Sequence, residues 1–182
     1  NVYIFDACAI IALLDAEPGA EVVEALLAGE SHRCVIHILN VCEVYYHIYR
    51  RAGQQRADKL RGILESYGFE LEDSLVPTLW QEASQLKAEW RRVSLVDCFA
   101  LALALRERAI LVTSDHHALN RALVNRDIDF HLGGGVYTCS SARISGCTQL
   151  RSVTPRRGSG EGPAGISFVE VNALLARSQK MA

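Results

Sequence analysis

No apolar run in the sequence is long enough to cross a membrane. The longest run, from Val2 to Leu14, is interrupted by Asp6 and falls well short of the ~20 residues that a spanning helix needs. The chain has no CxxC pair, and His116-His117 alone cannot supply the paired ligands of a zinc site. A net charge of −2 is too small to indicate a polyanionic partner by itself. These absences leave a globular protein with no membrane association.

Four of the six cysteines lie among Ala, Val, Ile and Phe residues, where a free thiol behaves as a small buried hydrophobe. They are Cys8, Cys34, Cys42 and Cys98. We therefore expect reduced thiols and a cytoplasmic protein. The length of 182 residues fits one domain with a short appendage, and 49% hydrophobic residues exclude a largely disordered chain.

Apolar runs of β-forming residues alternate with segments of helical periodicity. The alternation predicts an α/β fold, in which a parallel sheet is covered by helices on both faces. The segment 97–108 is apolar on most sides, so we expect it to form a central, buried helix. Strands are predicted at 2–5, 34–38, 109–113 and 128–132, and the other helices at 7–14, 20–28, from Asn40, 54–67, 77–90 and 117–124.

The last fifty residues differ from the rest in composition. Residues 133–182 hold eight of the thirteen glycines and carry a net charge of +4, against −6 for residues 1–132. The segment 158–165 has the composition of a flexible linker. We therefore predict a folded domain at 2–132 and a partly flexible, Gly/Ser/Arg-rich extension at 133–182.

Open α/β folds bind their ligands outside the carboxyl ends of the parallel strands. Acidic residues lie at the corresponding positions of this sequence. Asp6 and Asp115 each follow a predicted strand. Asp97 opens the buried helix, whose N-terminal dipole favours a carboxylate. Glu43 lies among apolar and aromatic neighbours, where an acid needs a partner. Their joint placement predicts a shared crevice.

Each of these acids also has a structural explanation. Asp6 could cap the helix that follows, and Asp97 could complete a capping box with Ser94. Asp115 could form an Asx turn, and Glu43 could face solvent or pair with Arg50 or Arg51.

Four carboxylates in one crevice would repel each other. At ~5 Å and an effective dielectric of about 20, each pair costs roughly 3 kcal/mol, which a cation or a bound proton relieves. Oxygen-only ligands select hard cations such as Mg²⁺ or Mn²⁺, which suit phosphodiester hydrolysis.

Four segments of the chain resemble the acidic motifs of PIN-domain nucleases, in the same order and spacing, and the VapC-type toxins of toxin–antitoxin pairs most of all. The segments are "VYIFDACAIIALL", "NVCEV", "SLVDCFALALAL" and "ILVTSDHHAL". The resemblance covers about residues 2–132 and implies a PIN-like three-layer α/β/α fold. It also implies a metal-dependent endoribonuclease that hydrolyses RNA, is silenced by a cognate antitoxin and forms a homodimer.

The resemblance further implies a role for each acid. Asp6, Asp97 and Asp115 match the ligands of Mg²⁺ or Mn²⁺, and Glu43 matches the acid that orients the metal shell or the attacking water. Thr113 and Ser114 match the hydroxyl-bearing residues before the last acid. The chain departs from the family at Ala7, where a Thr or Ser is frequent, and in the extension 133–182.

Cations and aromatic residues near Glu43 are candidates for RNA contacts. Arg50 and Arg51 follow Glu43 by one to two helical turns and are the preferred phosphate ligands. Tyr45, Tyr46 and Tyr49 could stack on bases, although we expect them to fill the core or a dimer interface.

Two other functions compete with the nuclease. A catalytically weak or inactive PIN-fold module that binds RNA or protein would be favoured by loss of an acid, and none is lost. A phosphotransferase with an aspartyl nucleophile would need a second Asp two residues after Asp6, where Cys8 stands.

Overall fold

The protein forms a six-stranded sheet in the order β3-β2-β1-β4-β6-β5. The computed structural model describes residues 1–114 and, for their backbone only, residues 129–133 and 136–140. Strands β1 to β4 are parallel, and β6 runs antiparallel to both of its neighbours. The strands are β1 (Val2–Phe5), β2 (Arg33–His37), β3 (Phe69–Glu72), β4 (Ile110–Thr113), β5 (Asp129–Gly133) and β6 (Val136–Ser140).

Seven helices connect the strands in the described part of the chain and complete the predicted α/β architecture. They are α1 (Ala7–Leu14), α2 (Ala20–Leu27), α3 (Ile38–Ala52), α4 (Gln54–Ala57), α5 (Leu60–Ser66), α6 (Pro77–Glu89) and α7 (Leu95–Glu107). Helix α7 contacts β1, β2 and β4, and α6 packs along it. None of these helices combines the length and apolar composition that spanning a bilayer requires.

Local sequence signals account for where several helices begin. Pro77 occupies the first turn of α6, where its missing N–H costs nothing. The predicted capping box of α7 is present, because Ser94 Oγ accepts from the Asp97 N–H at 3.0 Å and Asp97 Oδ2 accepts from the Ser94 N–H at 3.3 Å. Both helices thus begin where their local sequence predicts.

Helix α7 is central, as its apolar composition predicts. Seven of its residues are buried, among them Phe99 and Leu101, and they join a cluster with Ile4 of β1 and Leu111 of β4. Burial on several sides requires an apolar surface nearly all round, which explains why this helix lacks the polar stripe of a surface helix.

Besides strand β6, which was not predicted, the structure differs from the sequence prediction in three elements. Strand β3 was not predicted, although Phe69–Glu72 alternates apolar and charged residues as a half-buried strand does. The helix predicted at 54–67 is divided into α4 and α5. Asn40 is not the cap of α3, since the helix begins at Ile38 and His37 Nδ1 accepts from the Leu39 N–H at 3.3 Å.

The edge strand β3 is tied to β2 by an ion pair. Arg33 donates from Nε and Nη2 to the two carboxylate oxygens of Glu70, at 3.2 Å and 2.7 Å. The beginning of the predicted extension also contributes to the sheet, because β6 pairs with β4 from Ile110–Ser140 to Thr113–Tyr137. The division at residue 132 stays a prediction, and residues 141–182 lie outside the described part.

Truncating the central helix should destabilise the protein strongly. Leu101→Ala removes a side chain that is 1% exposed and leaves a cavity against the sheet. We expect the free energy of unfolding to fall by about 2–5 kcal/mol in denaturant titrations. Leu95→Ala on the same helix is the matched control, because Leu95 is 47% exposed, and its loss should stay below about 1 kcal/mol. Equal losses for both variants would contradict the central placement of α7.

Candidate active site at the carboxyl ends of β1 and β4

Asp6 lies at the point where the strand order of the parallel sheet reverses. It follows β1 directly, and β1 pairs with β2 on one side and with β4 on the other. The Asp6 N–H extends the ladder by donating to the carbonyl of Val112 at 3.1 Å. Open α/β sheets bind ligands in the crevice at such a switch point. The sheet therefore places a carboxylate at its ligand-binding position.

The Asp6 side chain is both a helix cap and a buried carboxylate. Its Oδ1 accepts from the Ala9 N–H at 2.8 Å, which makes it the N-cap of α1, and the Thr113 hydroxyl also donates to it. Asp6 is only 1% exposed. The capping interpretation is therefore correct, but a cap alone does not need a carboxylate this deeply buried.

Burial raises the pKa of Asp6 from 3.8 to about 7. Desolvation is the largest cause, because the charged form loses its hydration. The hydrogen bonds from Thr113 and Ala9 favour the charged form, whereas the negative charges of Asp97 and Glu43 oppose it. At neutral pH this group is therefore poised between its two protonation states.

Glu43 lies in α3 on the side that faces Asp97. Burial raises its pKa, and the charge of Asp97 adds to the shift. Its Oε2 is shielded from solvent and has no hydrogen-bond partner among the described residues. Arg50 donates to the Tyr46 hydroxyl at 3.1 Å, and Arg51 donates to Asp15. Neither of the ion pairs considered for Glu43 is thus observed.

Three of the four predicted acids act on one another in the structure. The charges of Asp97 and Glu43 both raise the pKa of Asp6, and Asp97 does the same to Glu43. The fourth acid, Asp115, lies outside the described residues, as do His116 and His117. Within the described residues, no three His, Cys, Asp or Glu side chains lie close enough together to hold a metal ion. Asp6, Glu43 and Asp97 are thus electrostatically coupled, and a metal site that includes Asp115 stays a prediction.

The donor chemistry of these three acids fits a hard divalent cation. Asp6, Glu43 and Asp97 offer only oxygen atoms, which suit Mg²⁺ or Mn²⁺ better than zinc or copper. A buried carboxylate with a raised pKa and a shielded Oε2 without a partner both gain from a nearby positive charge. Asp6 and Asp97 are the residues that could hold such a cation.

The prediction that all four cysteines of the described residues are buried was wrong for Cys42. Cys42 is exposed, whereas Cys34 and Cys98 are buried and Cys8 is half-buried, and none of the four forms a disulfide. Tyr46 and Tyr49 are 57% and 50% exposed, so they do not fill the core, and their place in a dimer interface stays a prediction. Cys42 and both tyrosines lie on α3.

Asn40 is a buried polar residue of α3, whereas the sequence indicated only a cap. It is fully buried in the first turn of α3, and neither Oδ1 nor Nδ2 has a hydrogen-bond partner among the described residues. Its spacing of three residues from Glu43 was the signal that could have identified it, because residues three apart share a helix face.

Comparison with known families identifies the fold. The sequence model of the PIN domain matches residues 3–123, and the chain therefore belongs to the PIN domain family. Among curated proteins, no sequence matches the chain significantly. The matched region includes all four acids, Asp6, Glu43, Asp97 and Asp115.

Solved structures of toxin–antitoxin proteins share this fold. VapBC2 from Rickettsia felis, bound to a DNA fragment from its promoter, is similar with a TM-score of 0.54 and 17% identity, over 66% of this chain and 92% of that chain. A toxin–antitoxin complex from Klebsiella pneumoniae is similar with a TM-score of 0.50 and 22% identity, over 64% of this chain and 89% of that chain. At these identities the likeness shows the fold alone.

Asp6→Asn should stabilise the metal-free protein at alkaline pH. The cost of ionising Asp6 in the folded state is absent below its unfolded pKa of 3.8, grows up to about 7 and is complete above that. We expect the variant to gain roughly 1–3 kcal/mol in free energy of unfolding at about pH 8 in EDTA, and little at about pH 4.

Denaturant titrations at both pH values measure this gain. Asp73→Asn is the matched control, because Asp73 is exposed and the substitution removes the same charge. A gain for Asp6→Asn that does not change between the two pH values would contradict the raised pKa.

Proposed function

We propose that the protein is a divalent-metal-dependent endoribonuclease and the toxin of a toxin–antitoxin pair. The observation that carries the proposal is the buried Asp6 carboxylate at the switch point of a PIN-domain sheet, under the charges of Asp97 and Glu43. A buried carboxylate lowers the free energy of unfolding, and carboxylates with strongly raised pKa values are found most often at functional sites. The reaction is hydrolysis of an RNA phosphodiester bond.

Asp6 and Asp97 hold Mg²⁺ or Mn²⁺ in this proposal, together with Asp115, which the sequence predicts as the third ligand. The bound cation would neutralise phosphate charge and lower the pKa of a water molecule. The Thr113 hydroxyl and the Ala9 N–H fix the Asp6 side chain and favour its ionised form. The N-terminal dipole of α1 adds to this effect.

Glu43 aligns the attacking water. Its shielded Oε2 accepts a hydrogen bond and then a proton from the water, whose oxygen forms a bond to phosphorus. The bond to the leaving ribose oxygen breaks, and that oxygen takes up a proton from solvent. In-line displacement of this kind needs no covalent enzyme intermediate. The raised pKa of Glu43 makes it a stronger base than an exposed glutamate.

The exposed part of α3 that follows Glu43 is the proposed binding surface for the RNA backbone. Arg50 follows Glu43 by seven residues, which is about two turns along the same face and about 10 Å. Its guanidinium carbon lies 5.5 Å from the centre of the Tyr46 ring, and both side chains are exposed. A guanidinium next to an aromatic ring can bind a phosphate while the ring stacks on the adjacent base. Arg51, which pairs with Asp15, is less available.

An antitoxin and a second copy of the chain are the proposed protein partners. The fold is shared with a toxin–antitoxin complex and with VapBC2, and an antitoxin would silence the site by occupying it. The exposed Tyr49 and Leu95 offer apolar surface of the kind that partners cover.

Asp97→Asn tests the nuclease directly. We expect metal-dependent cleavage of a mixed RNA pool to fall by more than ~100-fold, because the site loses a ligand charge. The Asn side chain can still accept from the Ser94 N–H, so the melting temperature should stay close to that of the wild type.

The cleavage assay compares Mg²⁺ and Mn²⁺ with EDTA, and Asp73→Asn serves as the charge-matched control. Cleavage by Asp97→Asn at the wild-type rate would overturn the site assignment. A wild-type protein that cuts no RNA with either cation would favour the alternative, a PIN-fold binding module.

Arg50→Ala should weaken RNA binding without changing the fold. In an Asp97→Asn background, which keeps the substrate intact, we expect affinity for a single-stranded RNA oligonucleotide to fall about 3–10-fold. The slope of log affinity against log salt should decrease by about 0.7, the share of one phosphate contact. Arg61→Ala is the control, since Arg61 is exposed on α5 and pairs with Glu65. Equal effects of the two substitutions would remove Arg50 from the binding surface.

A further inference from the structure

The first turn of α3 buries a carboxamide that the fold itself does not use. Asn40 is 0% exposed, and both polar atoms of its side chain lack a hydrogen-bond partner among the described residues. Burying an amide without hydrogen bonds costs free energy, and most native proteins avoid it. A scaffold position that is buried among apolar residues would be better filled by Leu or Val. The amide therefore indicates a role outside the packing of the core.

Asn40 shares a face of α3 with Glu43. Residues three apart on a helix are separated by about 60° around its axis and by one turn along it. Val44, four residues after Asn40, is 0% exposed, so Asn40 lies on the buried side of α3, and the half-buried Glu43 lies at the border of that side. Glu43 Oε2 is shielded and without a partner as well. Three polar atoms without partners, Asn40 Oδ1, Asn40 Nδ2 and Glu43 Oε2, thus occur within one turn of the helix.

These atoms do not satisfy one another. Asn40 Nδ2 and Glu43 Oε2 could form a hydrogen bond if they were in reach, and they do not form one. Asn40 Oδ1 accepts hydrogen bonds, Asn40 Nδ2 donates them, and the Glu43 carboxylate only accepts. A group that bridges Asn40 and Glu43 must therefore both donate and accept. Water has this property, and a divalent cation next to carboxylates keeps several water ligands.

We propose that Asn40 is a positioning residue of the acidic site, whose carboxamide acts with Glu43 to hold water in the hydration shell of the bound cation. The effect on catalysis rests on the proposed function. The choice of Asn40 rests on its buried amide, which has no partner among the described residues. Asn40 accepts from the water through Oδ1 and donates to it through Nδ2. Outer partners of this kind orient a metal site, and their loss costs about 10–100-fold in metal affinity or activity.

Asn40→Leu separates a positioning role from a structural one. Leu has the same branched arrangement of heavy atoms as Asn and no polar atoms, so it removes the buried amide without opening a cavity. We expect the melting temperature of the metal-free variant, measured in EDTA, to equal or exceed that of the wild type. The Mn²⁺ dissociation constant from calorimetry should rise about tenfold, and kcat for RNA cleavage should fall about 10–100-fold.

Val44→Ala is the matched control on the next turn of the same face. It should lower the melting temperature through the cavity it opens, and leave the Mn²⁺ affinity unchanged at a temperature where the protein is folded. Mn²⁺ affinity of Asn40→Leu equal to that of the wild type would overturn the proposal, whatever the effect on stability.

The readouts distinguish failure of this inference from failure of the proposed function. If the wild type binds Mn²⁺ but cuts no RNA, the nuclease proposal fails and the tenfold loss of Mn²⁺ affinity in Asn40→Leu still supports the role of Asn40. If the wild type binds no Mn²⁺ at all, both proposals are overturned.

Discussion

The burial of one carboxylate organises this molecule. Asp6 ends β1, caps α1 and receives a hydrogen bond from Thr113 of β4, so it joins the two central strands to the first helix. The same burial raises its pKa to about 7. Asp6 thus lies at the switch point of the sheet, begins α1 and carries the raised pKa. A PIN-domain fold thus accepts a local cost in stability at the position where its sheet offers a ligand site.

The sequence predicted those parts of the fold that depend on local chemistry. The capping box at Ser94 and Asp97, Pro77 at the start of α6 and the all-round apolar helix α7 each follow from neighbouring residues, and all are present. Strand β3 escaped prediction because four residues with two glutamates form a strand only when β2 is beside them. Asp115 remains a prediction, since it lies outside the described residues.

The sequence identified the acids of the candidate site by their residue types and order, but it did not show how deeply they are buried. Four acids in the order of a known family pointed to Asp6, Glu43 and Asp97, but sequence carries no direct measure of desolvation, so the raised pKa of Asp6 needed the structure. Asn40 illustrates the same limit. Its position in the sequence suggests a cap, and only the three-dimensional fold shows that its amide is buried without a partner inside the helix.

The edge strand β3 has a consequence for the behaviour of the protein at high concentration. Its four residues present Glu70 and Glu72, and Glu70 is engaged by Arg33 of β2. A second chain that tried to add its own β3 to this edge would bring like charges close together across the new pair. Short, charged edge strands therefore resist aggregation by sheet extension. Glu70 and Glu72 thus oppose the pairing of a second sheet along this edge.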